Sequence, residues 1–269
     1  MKKHILLIII LTLLGVAVLS GCTSEEEKAA IKEFDTAVNA LNVANTELGT
    51  LMTEAESLIN TAEQPLDSST LTALETSVSE AKTIKKDAPE RPKKFEDIIQ
   101  ATEEINAVDY TEITNRLTET KTAYENSVKQ LKQVTAPTET FVIERVQAVS
   151  GVTGVSAATE ENDPNGQLGK QGGYTAQIYF AYDKVSASAV SGNSIIEKGT
   201  DGGGSIEVYN TVEDAEKRDT YLASFDGGIF ASGSHKILGT MVVRTSSKLT
   251  ASQQKELETN ITNSLIELK

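Results

Sequence analysis

Between residues 24 and 136, apolar or small positions return in alternating steps of three and four: Ile31, Phe34, Val38, Leu41, Asn45, Leu48, Met52, Ala55, Ile59 and Ala62. That spacing is the a/d seam of a heptad and predicts a long helix. Asn45 falls on the seam, where a polar residue either fixes register and strand number or, in an irregular bundle, finds a backbone partner. Pro65 ends the helix, and Asp67, Ser68 and Ser69 offer caps for the next. That second helix carries Leu71, Leu74, Val78, Ala81 and Ile84 on one face. The run Asp87-Ala88-Pro89-Glu90-Arg91-Pro92 breaks the pattern, and a third segment buries Phe95, Ile98, Ile99 and Ile105. Asp109 and Glu112 stand as a capping box, so the chain kinks or restarts there. Tyr110, Ile113, Leu117, Thr120, Tyr124, Val128, Leu131 and Val134 then resume the heptad steps. The expectation is an antiparallel bundle or coiled coil of three or four helices. A first helix of about 40 residues would reach roughly 60 Å, which suits a spacer; the plainer reading is a small helical domain.

Beyond Pro137 the periods become mixed and most of the glycines appear. Residues 138–149 read as a helix with Val142, Val146 and Val149 inward, and residues 152–159 as a strand. Asn162-Asp163-Pro164-Asn165-Gly166 is a turn signal. Tyr174, Ala176, Ile178, Phe180 and Tyr182 alternate, the strand period of two. A glycine-rich run (199–204) leads into a strand over residues 205–209. Thr211 and Asp214 are placed to start a helix that runs through Tyr221 and Leu222. Residues 235–245 read as one further strand, and Thr250 with Gln253 caps a last helix carrying Leu257, Ile261, Leu265 and Leu268. The order is not a strict βαβ alternation. It predicts an α+β domain over residues 137–269, with a largely antiparallel sheet and helices on one face.

The N-terminus changes the picture most. Lys2 and Lys3 precede an apolar run from Ile5 to Leu19, then Leu19-Ser20-Gly21-Cys22. A basic segment, a short apolar core and small residues before a cut describe a secretory signal peptide over residues 1–21. Its apolar run of about 15 residues is shorter than the roughly 20 that a spanning helix prefers. The last four residues resemble the bacterial lipobox, in which the cysteine thiol receives a diacylglycerol and becomes the new N-terminus. Cys22 is the only cysteine of the chain. Lipidated there, the protein would meet the membrane through acyl chains worth about 0.8 kcal/mol per buried methylene. It would then fold by packing alone, with residues 22–136 as the helical spacer and no disulfide.

Net charge of −14 repels nucleic acid and lacks the basic stripe that phosphate-backbone binding needs. Tryptophan is absent and aromatics make up 5% of residues. Sugar stacking is weakened by that composition, though seven tyrosines keep it open.

Several stretches of the C-terminal half are distinctive: Asn162 to Gly166, Gly172-Gly173-Tyr174-Thr175-Ala176, residues 199–209, Glu213 to Arg218, Gly233-Ser234-His235 and Arg244-Thr245-Ser246. On these words the segment from about Phe141 resembles an EbhA-like domain of Gram-positive surface lipoproteins, which follows a helical stretch. The resemblance implies an envelope protein with no enzyme activity attached. It covers about half of the chain.

Candidate chemistry is sparse. The glycines from Gly199 to Gly204 could gather backbone N–H groups around an anion, but they precede a strand and no Gly-Lys-Ser/Thr follows, so a flexible connection is expected. Asp163 and Asn165, with Glu160 and Glu161, match only a fragment of a calcium loop; an Asx turn is expected. His235 is the sole histidine after the signal. A hydrolase would need Ser234 as nucleophile and Asp201 or Asp226 as orienting acid, yet neighbours in a strand point to opposite faces. One histidine without thiols makes a poor zinc site. Arg218 and Arg244 could meet across the sheet and bind a carboxylate. Asp201, Arg218, His235 and Arg244 are therefore the candidate ligand-binding residues of the head. The expected protein is a non-enzymatic, lipid-anchored surface module without cofactor or metal. It would meet the membrane through Cys22 and an envelope protein or cell-wall partner through its head. The rivals are a hydrolase built on His235 and a solute-binding lipoprotein of a transporter.

Overall fold

The computed structural model describes residues 24–228 and 233–269. The signal peptide and Cys22 lie outside the described residues. An N-terminal helical region is followed by a mixed domain with an open antiparallel sheet. Four helices make the first part: α1 (Glu25–Asn60), α2 (Ser69–Ile84), α3 (Phe95–Asn106) and α4 (Thr111–Gln133). Phe34, Leu41, Leu48 and Ala55 of α1 are buried at seven-residue steps. Between them the inward position is Ala37, not Val38, which is half-buried.

The described residues group into two compact units, residues 24–48 with 85–110 and residues 49–84 with 111–269. In the first, the seam residue Asn45 donates from Nδ2 to the Lys86 carbonyl at 2.9 Å. Its Oδ1 accepts the Tyr110 hydroxyl at 3.0 Å, so the polar seam residue is satisfied partly by backbone. In the second, Ser127 fixes the turn that enters α2. Its carbonyl accepts Leu66 N–H at 3.0 Å and its hydroxyl accepts Asp67 N–H at 2.8 Å.

The second unit continues through α5 (Glu139–Gln147), β1 (Val152–Ala157), β2 (Ala176–Tyr182), a one-turn α6 (Ile195–Lys198) and β3 (Gly203–Val208). It closes with α7 (Val212–Ala223), β4 (His235–Leu238), β5 (Met241–Thr245) and α8 (Ala251–Ile266). The strands lie in the order β1-β2-β3-β5-β4, each neighbour antiparallel. Ile178, Phe180, Ile206, Val208, Met241 and Val243 face a core with Val142 and Val146 of α5 and Leu257, Ile261 and Leu265 of α8. Val134, just past the end of α4, is fully buried in that same core.

Three local expectations change. Helices cover both faces of the sheet, because α7 packs Ala215 and Leu222 with Tyr209 and Val242 on the side away from α5 and α8. Tyr174 precedes β2 and joins that second cluster, out of line with Ala176 and Ile178. Residues 235–245 form two strands joined at Gly239 and Thr240, with Leu238 opposite Met241 and Gly239 at φ +59°. A two-residue hairpin turn needs that positive φ, which glycine supplies without steric cost.

Candidate functional site

The second face of the sheet should be solvated if its alternating polar residues faced water. Instead, Gln177 and Glu207, opposite each other on β2 and β3, are completely buried. Burying a carboxylate requires charge partners. Glu207 has them. Arg218, one and a half turns into α7, donates Nε–H to Oε2 at 2.7 Å and Nη2–H to Oε1 at 2.8 Å. Arg244 of β5 donates from Nη1 to Oε1 at 3.0 Å, and the Tyr209 hydroxyl donates to Oε2 at 2.9 Å. Burial pushes the Glu207 carboxyl up, but the hydrogen bond and charge of Arg218, then the charge of Arg244, outweigh it and hold it below the usual carboxylate range. Burial, then the Glu207 charge, pushes the Tyr209 hydroxyl up, so it remains a donor. Tyr179, on the same face, is pushed up to about 12 by burial and then by the Glu207 charge. Arg218 and Arg244 do meet across the sheet on a carboxylate, and that carboxylate is the chain's own.

Above this cluster lies an open cleft of about 400 Å³ between α7 and the loop that precedes β2. Arg218 and Tyr209 reach its floor, Lys217 and Tyr221 its helical wall, and Asn165 and Gln167 its loop wall. The loop is shaped by Asp163. Its carboxylate accepts the N–H groups of Asn165, Gln167 and Leu168 at 3.1, 2.6 and 2.9 Å, and the hydroxyl of Tyr174. Burial raises the Asp163 carboxyl, yet the Tyr174 hydroxyl and these backbone donors leave it lowered overall. With those oxygens committed, Asp163 works as an Asx-type anchor and not as a cation ligand. No group of three or more metal-ligating side chains suited to a metal ion occurs among the described residues.

His235 and Asp201 stand apart from the cleft. His235 Nδ1 lies 2.6 Å from Asp219 and Nε2 lies 3.2 Å from Asp226. Ser234 points the other way, its hydroxyl bonded to Thr245 at 2.7 Å and Glu258 at 2.9 Å. A serine–histidine dyad is therefore not assembled here. Asp201 contacts the Ser247 hydroxyl at 3.3 Å and Lys248 at 3.4 Å, and its carbonyl accepts Ser246. The glycine-rich run has a positive φ at Gly199 (+59°) but is built into regular elements instead of a loop. Gly199 to Gly202 form a 3-10 turn, and Gly203 and Gly204 begin β3. A Cβ on Gly204 would lie 2.3 Å from the Phe180 ring and 2.4 Å from the Arg244 carbonyl, so close packing sets the glycine.

No family model, curated protein sequence or solved structure matches the chain. Of the four candidate head residues, Arg218 and Arg244 share one cluster, while His235 and Asp201 occupy separate ones. Glu207 escapes a reading of the sequence because Ser205-Ile206-Glu207-Val208-Tyr209 alternates as a half-exposed strand would. The available signal was a carboxylate in mid-strand, with one arginine in the helix that follows and another in the last strand.

Proposed function

We propose that this chain is a lipid-anchored protein on the outer side of a bacterial membrane, a surface lipoprotein of the EbhA-like kind. Its C-terminal domain acts as a non-catalytic binding module for an envelope protein or cell-wall partner. The lipobox-like Leu19-Ser20-Gly21-Cys22 supports the anchor. The cleft over the Glu207 cluster carries the binding reading: its walls mix amides, an exposed tyrosine, the cations Lys217 and Arg218 and the carboxylate of Asp214, the makings of a recognition site. Its floor is an ion cluster already neutralised in part from within. Ser234 and His235 face apart, which weighs against the hydrolase.

Metabolic labelling with an alkyne fatty acid tests the anchor. Label should enter the wild-type chain and be lost in Cys22→Ala, with the variant released into the medium or held as an uncleaved precursor. Equal labelling and equal membrane retention of both chains would overturn the proposal.

A further inference from the structure

We propose that the cleft takes a small ligand that carries both a free carboxylate and a secondary amide, the carboxylate on the outer edge of Arg218 and the amide against the loop wall; this rests on the binding reading above. A guanidinium presents five N–H donors in a rigid fork. Arg218 spends two of them, on Nε and Nη2, on Glu207. The other three, two on Nη1 and one on Nη2, have no hydrogen-bond partner among the described residues. The side chain is 21% exposed and lines the cleft, so that edge is open to a ligand.

Charge favours an anion at this point. Glu207 meets Arg218 through both oxygens and Arg244 through Oε1, so its single negative charge is shared by two guanidiniums and neutralises that of Arg218 only in part. Of the other charged residues that line the cleft, Lys217 and Asp214 lie 3.5 Å apart and offset each other, while Glu213, 2.9 Å from Lys217, is not among the lining residues. Arg218 thus sets the sign of the cleft. Its guanidinium carbon lies 5.4 Å from the centroid of the Tyr221 ring, which is 56% exposed. The arginine is held between a carboxylate and an aromatic face, in the pose suited to planar, two-point carboxylate recognition. Across the cleft the exposed side-chain amides of Asn165 and Gln167 offer both a donor and an acceptor, which complements a secondary amide. A volume of about 400 Å³ accommodates a ligand of dipeptide size.

Peptide C-termini and N-acylated sugar acids share this chemistry. The test titrates the mature chain with N-acetyl-alanyl-alanine, with its C-terminal amide, and with N-acetylneuraminic acid, read by ¹⁵N chemical-shift change and calorimetry. At least one acid should bind, shifting the Arg218 side-chain signal, and the amide should bind at least about tenfold more weakly than the peptide acid if that acid is the ligand. The peptide acid alone assigns a peptide source, the sugar acid alone a glycan source. Arg218→Lys, which keeps a cation beside Glu207 but loses the fork, should weaken binding about tenfold. Tyr221→Ala, at an exposed position outside the Glu207 ion cluster, should weaken it severalfold in a chain that still folds, which keeps the test open if the arginine variant does not fold. The proposal fails if no acid binds at about 10 mM, if acid and amide bind alike, or if Tyr221→Ala has no effect. Equal binding of acid and amide in this cleft would remove the carboxylate and leave the binding module. Turnover of any probe would overturn the non-catalytic reading itself.

Discussion

Glu207 and Arg218 make a two-point contact across the boundary between β3 and α7, 2.7 Å on one oxygen and 2.8 Å on the other. The contact attaches α7 to the sheet face that would otherwise hold an unpaired buried charge. It also aims the rest of the arginine into the cleft. Fold and candidate site depend on the same side chains.

Acid should loosen that attachment. Glu207 has a folded-state pKa below its ordinary value of 4.5 because the arginines outweigh its burial. Its contribution is therefore complete above that ordinary value and is lost as the pH falls toward the lowered one. Urea unfolding should show a midpoint that drops on acidification below 4.5. Glu207→Gln should lower the midpoint at neutral pH, at a cost of about 3 kcal/mol, and flatten the acid limb. An unchanged acid limb in the variant would contradict this role.

Asp163→Ala should unmake the loop wall without unfolding the sheet. Three backbone N–H groups and the Tyr174 hydroxyl would lose a charged acceptor, a loss of about 2 kcal/mol. Hydrogen exchange should quicken at Gln167 and Leu168 while the amides of β2 and β3 remain protected. Equal protection of the loop in both chains would show that Asp163 does not hold it.

Gln177 is fully buried with neither side-chain amide atom hydrogen-bonded to protein. Leaving such a group unmet costs about 1–3 kcal/mol. Gln177→Met, close in volume, should therefore raise the melting temperature. A lowered one would mean that the amide has a partner, most simply an internal water.

The elements that read well in the sequence are those whose periodicity and caps agree. Thr250 and Gln253 form the capping box of α8, and Leu257, Ile261 and Leu265 are its buried stripe. What could not be read was set by tertiary packing. Nothing local distinguishes Glu207, buried under α7, from a glutamate on a wet strand face. Gly239-Thr240 sits inside an apolar run without the Asn-Gly mark of a tight turn, so β4 and β5 merge into one strand. In α1, Ala37 and Val38 both suit a heptad step, and only the packing chooses the smaller. Two arginines at positions 218 and 244 suggested a carboxylate partner, but not that the chain supplies it.

The boundary at Pro137 can be tested through Val134. That residue is buried in the head core, and its carbonyl accepts Thr240 N–H at 3.1 Å. Gln133 donates to the Leu265 carbonyl at 2.7 Å. A fragment starting at Thr138 should fold with less stability than one starting at Thr111, by roughly 2 kcal/mol for the lost valine alone. Identical urea midpoints would place the boundary at Pro137 after all.

The most direct measurement is site-specific photocrosslinking on intact cells, with p-benzoylphenylalanine at position 221 in the cleft wall or at position 212 on the same helix. Tyr221 and Val212 are both exposed, and only Tyr221 lines the cleft. A binding head working through this cleft predicts a discrete adduct from position 221, none from position 212, and loss of the adduct when Asp163→Ala is added. No adduct at 221, or the same adduct from both positions, would contradict the account.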